Sequence, residues 1–290
     1  MNSPNVDVYE LIGWGLDDYT YRNCATSVRQ KELTKRVKRA RKILEERERY
    51  MDGPALLREK TEGVRPLLTG VCHRKDLGEE YEAFNWELGV VDLRHLLAFQ
   101  RRLVFSHALP GMCIPAKDDW PQLVSLALGS QRTTRHHLLC NKNTIDGMDI
   151  RLHSSNPDLQ VRLSGNASHE NRSPISLYGG SPFFEVAEFR GRWFLRDGYH
   201  RAYRLLQAGV HQMPAVVIHA RTIEELGATD PWFFDEEQLF SDRPPRVTDF
   251  LDDNLILRYE RTALRKVIHI RIEESLEPFD ETEELQGEEI

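Results

Sequence analysis

Residues Asp197-Gly198-Tyr199-His200-Arg201 place a carboxylate, a glycine, a phenol, an imidazole and a guanidinium in direct succession. The Asp-Gly step follows a run with strand character and precedes a run with helical character, so it expects a helix start directly after a strand end. The first N–H groups of a helix have no acceptor within the helix and carry partial positive charge. Gly198 lacks a Cβ and permits close approach of a ligand or a second backbone. His200 and Arg201 add side-chain donors at the same point, and these are the parts of a phosphate site. The competing reading is local: Asp197 caps the helix and the two basic side chains are solvated. For proton transfer beside such a site the nearest candidates along the chain are Glu185 and Glu188, read as sharing one side of their strand.

The elements that position these residues run from Phe183 to His219. Phe183–Phe189 and Arg192–Arg196 are rich in aromatic and β-branched residues and are broken at Arg190-Gly191, which predicts a hairpin. From Tyr199 the period changes. Ala202, Leu205, Leu206 and Gly209 fall at helical spacing, and Gly209 is a helix stop. Pro214-Ala215-Val216-Val217-Ile218 then reads as a buried strand.

This stretch resembles the ParB/sulfiredoxin superfamily. The residues that carry the resemblance are Asp197-Gly198-Tyr199-His200-Arg201-Ala202, then Leu205-Leu206, Gly209 and Met213-Pro214-Ala215-Val216-Val217. Members show a Gly-x-x-Arg turn after a strand, a short helix, a glycine and an x-Pro-x-hydrophobic strand. The turn resembles Gly-Glu-Arg-Arg in partition proteins, where it holds a nucleotide's phosphates. It resembles Gly-Cys-His-Arg in sulfiredoxins, whose cysteine does the chemistry with ATP, and Asp-Gly-His-His-Arg in the free-serine kinase branch. Gly198, His200 and Arg201 match, and Asp197 matches the kinase-like form. Tyr199 stands at the sulfiredoxin cysteine. A phenol does not replace a thiolate nucleophile, so sulfiredoxin activity is not expected.

The resemblance implies an α+β fold with a ParB/sulfiredoxin-like core, a small mixed sheet with short helices. The expected division is a helical N-terminal extension over 1–81, the core domain over 82–272 and an acidic disordered tail over 273–290. It also implies a nucleoside triphosphate, ATP or CTP with Mg²⁺, held by Asp197, Gly198, Tyr199, His200 and Arg201. The chemistry would be that of an NTP-dependent phosphotransferase or an NTP hydrolase. The alternative is a DNA-associated partition or regulatory module without small-molecule chemistry. No helix-turn-helix pattern follows the core, and no metal-ligand set supports the nuclease label often attached to the superfamily. A third reading keeps the turn only as structure, in an interaction scaffold.

The chain has 290 residues and a formal net charge of −7. Residues 273–290 hold nine acids and no Lys or Arg, so the rest of the chain is near neutral. The four cysteines are widely spaced, with no Cys-x-x-Cys pair. No signal-type N-terminal run and no segment of membrane-spanning length is present, so a reduced, cytoplasmic protein without a membrane is expected.

Residues 1–70 read as helical. Ser27 and Gln30 have capping-box spacing. Leu33, Val37, Ala40 and Leu44 then form an apolar stripe, with Lys31, Lys35, Arg36, Lys38, Arg39, Arg41 and Lys42 on the other face. The helix is expected to end near Asp52-Gly53-Pro54. One reading is a solvated face with acids and bases paired at helical spacing. The other is a nucleic-acid contact through the basic helix 31–42.

Elsewhere, Gly70-Val71-Cys72-His73-Arg74 is taken as a chance likeness on a loop, and Leu88–Leu93 as the first core strand. Pro121–Leu128 reads as a short helix and Val267–Ile272 as a terminal strand. Asp249, Asp252 and Asp253 are close enough in sequence to suggest a cation, but helix-end roles are the commoner use, and no metal is assigned.

Overall fold

The computed structural model describes residues 5–16, 30–57, 62–106, 112–129, 136–144, 147–154, 160–163, 175–178, 181–229, 233–264 and 266–273. It is a mixed α+β structure with several sheets. By its internal contacts the chain forms two units, residues 1–132 with 181–263 and residues 133–180 with 264–290.

The first unit contains, in order, β1 (Asn5–Leu11), α1 (Gln30–Glu46), β2 (Leu56–Leu57), α2 (Arg65–Val71), α3 (Lys75–Tyr81) and β3 (Trp86–Asp92). A 3-10 turn (Leu93–His95), β4 (Leu97–Ala98), β5 (Arg102–Ser106) and α4 (Trp120–Leu128) follow. After the second unit's insertion come β10 (Glu185–Phe189), β11 (Arg192–Asp197), α5 (Tyr199–Gln207), β12 (Gln212–His219), α6 (Ile223–Leu226), α7 (Glu236–Leu239), a 3-10 turn (Val247–Leu251) and β13 (Ile256–Thr262).

Its main sheet has the order β2-β3-β12-β10-β11-β4. β12 runs parallel to β10 and antiparallel to β3, and β11 is parallel to β4. Every residue from Met213 to Ile218 is buried, because β12 is an interior strand covered on both faces. That is why it reads as an unbroken apolar run instead of an alternating one. The β10–β11 hairpin turns at Arg190 and Gly191, with φ of 53° and 80°. Two consecutive positive φ values match the right-handed twist of the flanking strands, as in a type I′ turn.

The second sheet has the order β13-β1-β5. Here the structure departs from the helical reading of the N-terminal stretch. Val6 and Val8 alternate with Tyr9 and Leu11, and the strand lies between two cores. Val6 and Val8 pack with Leu33, Ala40 and Leu44 of α1, while Leu11 joins the main core. Glu10 obscures this pattern in the sequence. It is fully buried, pairs with Arg102 at 3.1 Å and accepts from the Tyr259 hydroxyl at 3.0 Å.

Helix α1 stops at Glu46, ahead of the expected Asp52-Gly53-Pro54 end. Arg47 and Tyr50 are drawn out of the helix by tertiary bonds. Arg47 binds Asp249 and the Pro244 carbonyl, and the Tyr50 N–H donates to Asp242 O at 2.7 Å. The Asp249, Asp252 and Asp253 cluster resolves into separate structural roles. Asp249 pairs with Arg47, Asp252 accepts from the Asn254 N–H, and Asp253 pairs with Arg258.

The second unit holds β6 (His136–Thr144), β7 (Gly147–Ser154), β8 (Gln160–Leu163), β9 (Ile175–Tyr178) and β14 (Lys266–Glu273). They form a β14-β7-β6 sheet and a β8–β9 pair. β14 is the expected terminal strand, with Val267 on its exposed side. Residues 274–290, most of the acidic tail, lie outside the described residues, as does Ser27. No helix among the described residues is long and apolar enough to cross a membrane.

Candidate functional site

Helix α5 begins where the sequence expects it. β11 ends at Asp197, and Gly198 is the N-cap residue with φ 103°. No side chain caps this helix, so Asp197 does not have the capping role of the local reading. The first intrahelical bond is Ala202 N–H to Gly198 O at 2.8 Å, which leaves the N–H groups of Tyr199, His200 and Arg201 ahead of the helical ladder. Gly198 is required twice over. Its φ is left-handed, and a Cβ there would lie 2.5 Å from Phe184 Cδ2. Tyr199, Ala202, Tyr203, Leu205 and Leu206 bury one face of α5, and Gly209 ends the turn with φ 74°.

The helix start opens onto a cleft of about 1020 Å³. Asp197, Gly198, Tyr199, His200 and Arg201 all line it, so the predicted turn is brought together on one surface. Arg74 and Asp76 line the same cleft. An apolar wall is added by Val71, Val124 and Leu128 together with Met112 and Pro121. The cleft is therefore lined by polar groups at the head of α5 and after α2, and by apolar side chains of α2 and α4.

Each side chain of the turn has a defined partner. Tyr199 is buried, and its hydroxyl oxygen accepts from the N–H groups of Phe99 at 3.1 Å and Gln100 at 3.3 Å. Burial pushes the Tyr199 phenol above its usual range, so it stays neutral. Its ring packs in the core against Phe99 and Phe250. His200 is exposed, and its Nε2–H donates to Val104 O at 2.9 Å, which fixes the tautomer. Arg201 points toward the wall. Its Nη1 donates to Leu126 O and Pro182 O, both at 3.1 Å, and its Nη2 to Phe183 O at 2.7 Å. Asp197 lies 3.9 Å from that guanidinium. Arg201 thus joins the end of α4 to the segment entering β10.

Arg74 and Asp76 carry the other charges. The Arg74 fork donates to both Asp76 oxygens, at 3.0 and 2.5 Å, and its Nη1 to Leu128 O at 2.6 Å. Hydrogen bonding from Arg74 holds the Asp76 carboxyl below the usual carboxylate range. Sequence reasoning missed both residues. Arg74 belongs to the stretch set aside as a chance likeness on a loop. In the structure Gly70 is inside α2, and Arg74 lies in the short break before α3. Nothing in local spacing signals that this break meets the head of α5.

Glu185 and Glu188 do not line this cleft, and they do not share a face. Three residues apart along a strand, they project oppositely, with a register shift at Glu185/Val186. Glu185 is buried, accepts from the Tyr81 hydroxyl at 2.5 Å and pairs with Arg196. Glu188 accepts from Gly191 N–H at 2.8 Å and lies 3.5 Å from His219 Nδ1, whose Nε2 is 3.1 Å from Glu87. It belongs to a separate cleft of about 950 Å³ lined also by Asp92, Arg94 and Trp193. Gln100, whose N–H is bonded to Tyr199, also donates from Nε2 to Arg102 O at 2.6 Å.

Comparison of the chain with known protein families, with curated proteins and with solved structures finds no match.

Proposed function

We propose that the first unit binds a nucleotide, with the phosphates at the head of α5 and the nucleoside against the apolar wall from α2 and α4. The observation that carries the reading is the mixed polar and apolar lining of this cleft. Helix-start N–H groups, His200 and Arg74 line it together with apolar side chains of α2 and α4. The order strand, Gly198, short helix, Gly209, Pro-bearing strand is also the order that the ParB/sulfiredoxin resemblance implies, and it supports a core of that kind. Within this reading Arg201 acts as a wall former, and the phosphate contacts come from the N–H groups of residues 199–201 with His200 and Arg74.

Arg74 is held by Asp76 in this structure, and an incoming phosphate would compete with that carboxylate for the same fork. Among the described residues no group of three or more His, Cys, Asp or Glu converges on a metal position. Among these residues an all-protein metal cage therefore does not fit. A nucleotide-borne Mg²⁺ does fit, since it needs only one or two carboxylates and Asp197 and Asp76 line the cleft. When bound, Mg²⁺ would neutralise charge on the phosphate oxygens. In phosphoryl transfer the acceptor hydroxyl loses its proton to a carboxylate as its oxygen attacks the terminal phosphorus and the nucleoside diphosphate leaves. Asp197 and Asp76 take the place of Glu185 and Glu188 as the carboxylates in reach.

The test is thermal unfolding with ATP, ADP, CTP and GTP, each with Mg²⁺. At least one should raise the midpoint, because a ligand of the native state stabilises it. His200→Ala and Arg74→Ala should each reduce that increment. A flat response to all four nucleotides, or an increment untouched by both substitutions, would remove the reading. Phosphate release measured on the nucleotide that binds then separates hydrolysis or transfer from binding alone.

A further inference from the structure

We infer that the outer face of α1 docks on the phosphate backbone of duplex DNA. The inference is independent of the nucleotide reading. Leu33, Ala40 and Leu44 are buried against β1 and the residues around β13, which fixes the roll of the helix. On the opposite side Lys31, Lys35, Lys38 and Lys42 follow a four-three-four spacing, and all are exposed. At 3.6 residues per turn they fall within an arc of about 60°, along a straight stripe of roughly 16 Å. Arg39 and Arg41 are exposed on its two flanks. Arg36 is different: its Nη2 donates to Ile256 O at 2.8 Å, so it fastens the helix to the body.

Salt bridges within the helix do not explain the stripe. Lys42 lies 3.7 Å from Glu46, while Lys31, Lys35 and Lys38 make no ion pair with any described residue. Unpaired like charges at helical spacing repel one another by a few tenths of a kcal/mol each, roughly. A polyanion offsets that repulsion.

The chemistry of the face selects the polyanion. It presents no exposed aromatic or aliphatic residue between Lys31 and Lys42, so nothing on it inserts into an acyl layer. Stacking platforms for single strands are absent for the same reason. The stripe is lysine, a point charge without the planar fork that reads base edges, so it suits phosphates and carries no sequence preference. Duplex DNA presents one charge per about 1.7 Å of axis, so the stripe spans on the order of ten phosphates.

The experiment is fluorescence anisotropy of the full chain with a labelled DNA duplex of arbitrary sequence, titrated across salt concentrations. Four lysines predict a slope of log K against log salt near about −3.6. Lys35→Glu/Lys38→Glu should weaken binding at least about tenfold and make the slope shallower by about 1.8. The nucleotide response of that variant should match wild type, which separates failure here from failure of the cleft reading. Lys35→Gln/Lys38→Gln serves if the reversal lowers the unfolding midpoint. Absence of duplex binding at low salt overturns the inference, as does an unchanged slope in the variants. Binding to vesicles containing anionic lipid with none to the duplex overturns it in favour of a membrane surface.

Discussion

Arg201 donates from Nη2 to the carbonyl oxygen of Phe183 at 2.7 Å, across the break between helix α5 and the entry to β10. The same guanidinium takes the carbonyls of Pro182 and Leu126. A residue that a motif reading assigns to a ligand is therefore fastened to the protein itself. Hydrogen bonds from a charged donor contribute about 1.5–3 kcal/mol each in favourable settings, and the freed carbonyls regain water only in part. Arg201→Ala should lose about 2–3 kcal/mol in urea unfolding. Arg201→Lys keeps the charge and loses the fork, and should recover less than half. An Arg201→Ala protein as stable as wild type but unable to bind nucleotide would return Arg201 to the role of phosphate ligand.

Tyr199 and Tyr81 make stability sensitive to alkali. Burial is the largest cause of the raised Tyr199 phenol, and burial followed by the Glu185 charge raises Tyr81. An unfolded phenol titrates near about 10. Both folded values lie above it, so their contribution is fully present below about pH 10 and is lost as pH rises toward the folded values. Each should cost about 1.4 kcal/mol by pH 11 relative to pH 8. Tyr199→Phe leaves the Phe99 and Gln100 N–H groups without this acceptor, at about 1–3 kcal/mol near neutrality. In exchange the decline above pH 10 should be shallower by one group. Urea midpoints at the two pH values in wild type and variant decide it, and parallel declines would contradict the assignment.

The stretch around Tyr199 was also the most legible part of the chain. Asp197-Gly198, the helical spacing of Ala202, Leu205 and Leu206, and Gly209 are local signals, and the structure has β11, α5 and β12 where they fall. The apolar run of β3 and the short helix α4 are legible in the same way. What lies beyond local signals is set by long-range contact. The cleft brings Arg74 together with a helix that starts at Tyr199, and no periodicity links them. The N-terminal strand is masked by Glu10, a buried acid whose partners Arg102 and Tyr259 are far along the chain. Glu185 and Glu188 illustrate a different failure: their spacing of three already separates them in a strand, and each then finds its own network. The second unit is assembled from two segments, residues 133–180 and 264–290, that the sequence does not mark as belonging together.

Arg47, half-buried, forms an ion pair with the buried Asp249, its Nη1 at 2.8 and 3.0 Å from the two carboxylate oxygens. Arg47 also donates to Pro244 O at 2.8 Å, and Asp249 accepts from the Arg246 N–H at 2.8 Å. The pair joins the end of α1 to the turn at Val247–Leu251. Removing one partner leaves a charge buried without its counterion, so Arg47→Ala should cost about 3–5 kcal/mol. Replacing both with apolar residues of similar volume, Arg47→Met/Asp249→Leu, should cost clearly less than the single change. A double-mutant cycle by chemical denaturation checks this, and additive single costs would show that the two residues are not coupled.

Gly198→Ala tests the helix start directly. Two separable penalties meet there. A non-glycine residue at φ 103° costs on the order of 1–3 kcal/mol. The added methyl also falls 2.5 Å from Phe184 Cδ2. Phe184 is fully buried, so its ring has little free space into which to retreat. Overpacking of that kind adds about 1–3 kcal/mol. The single variant should therefore lose about 2–6 kcal/mol in all. Gly198→Ala/Phe184→Leu relieves the clash but not the backbone strain, and should recover only the packing share. If Gly198→Ala unfolds at the wild-type midpoint, the backbone at the head of α5 is not held in the left-handed conformation, and the N–H groups of residues 199–201 do not converge on the cleft.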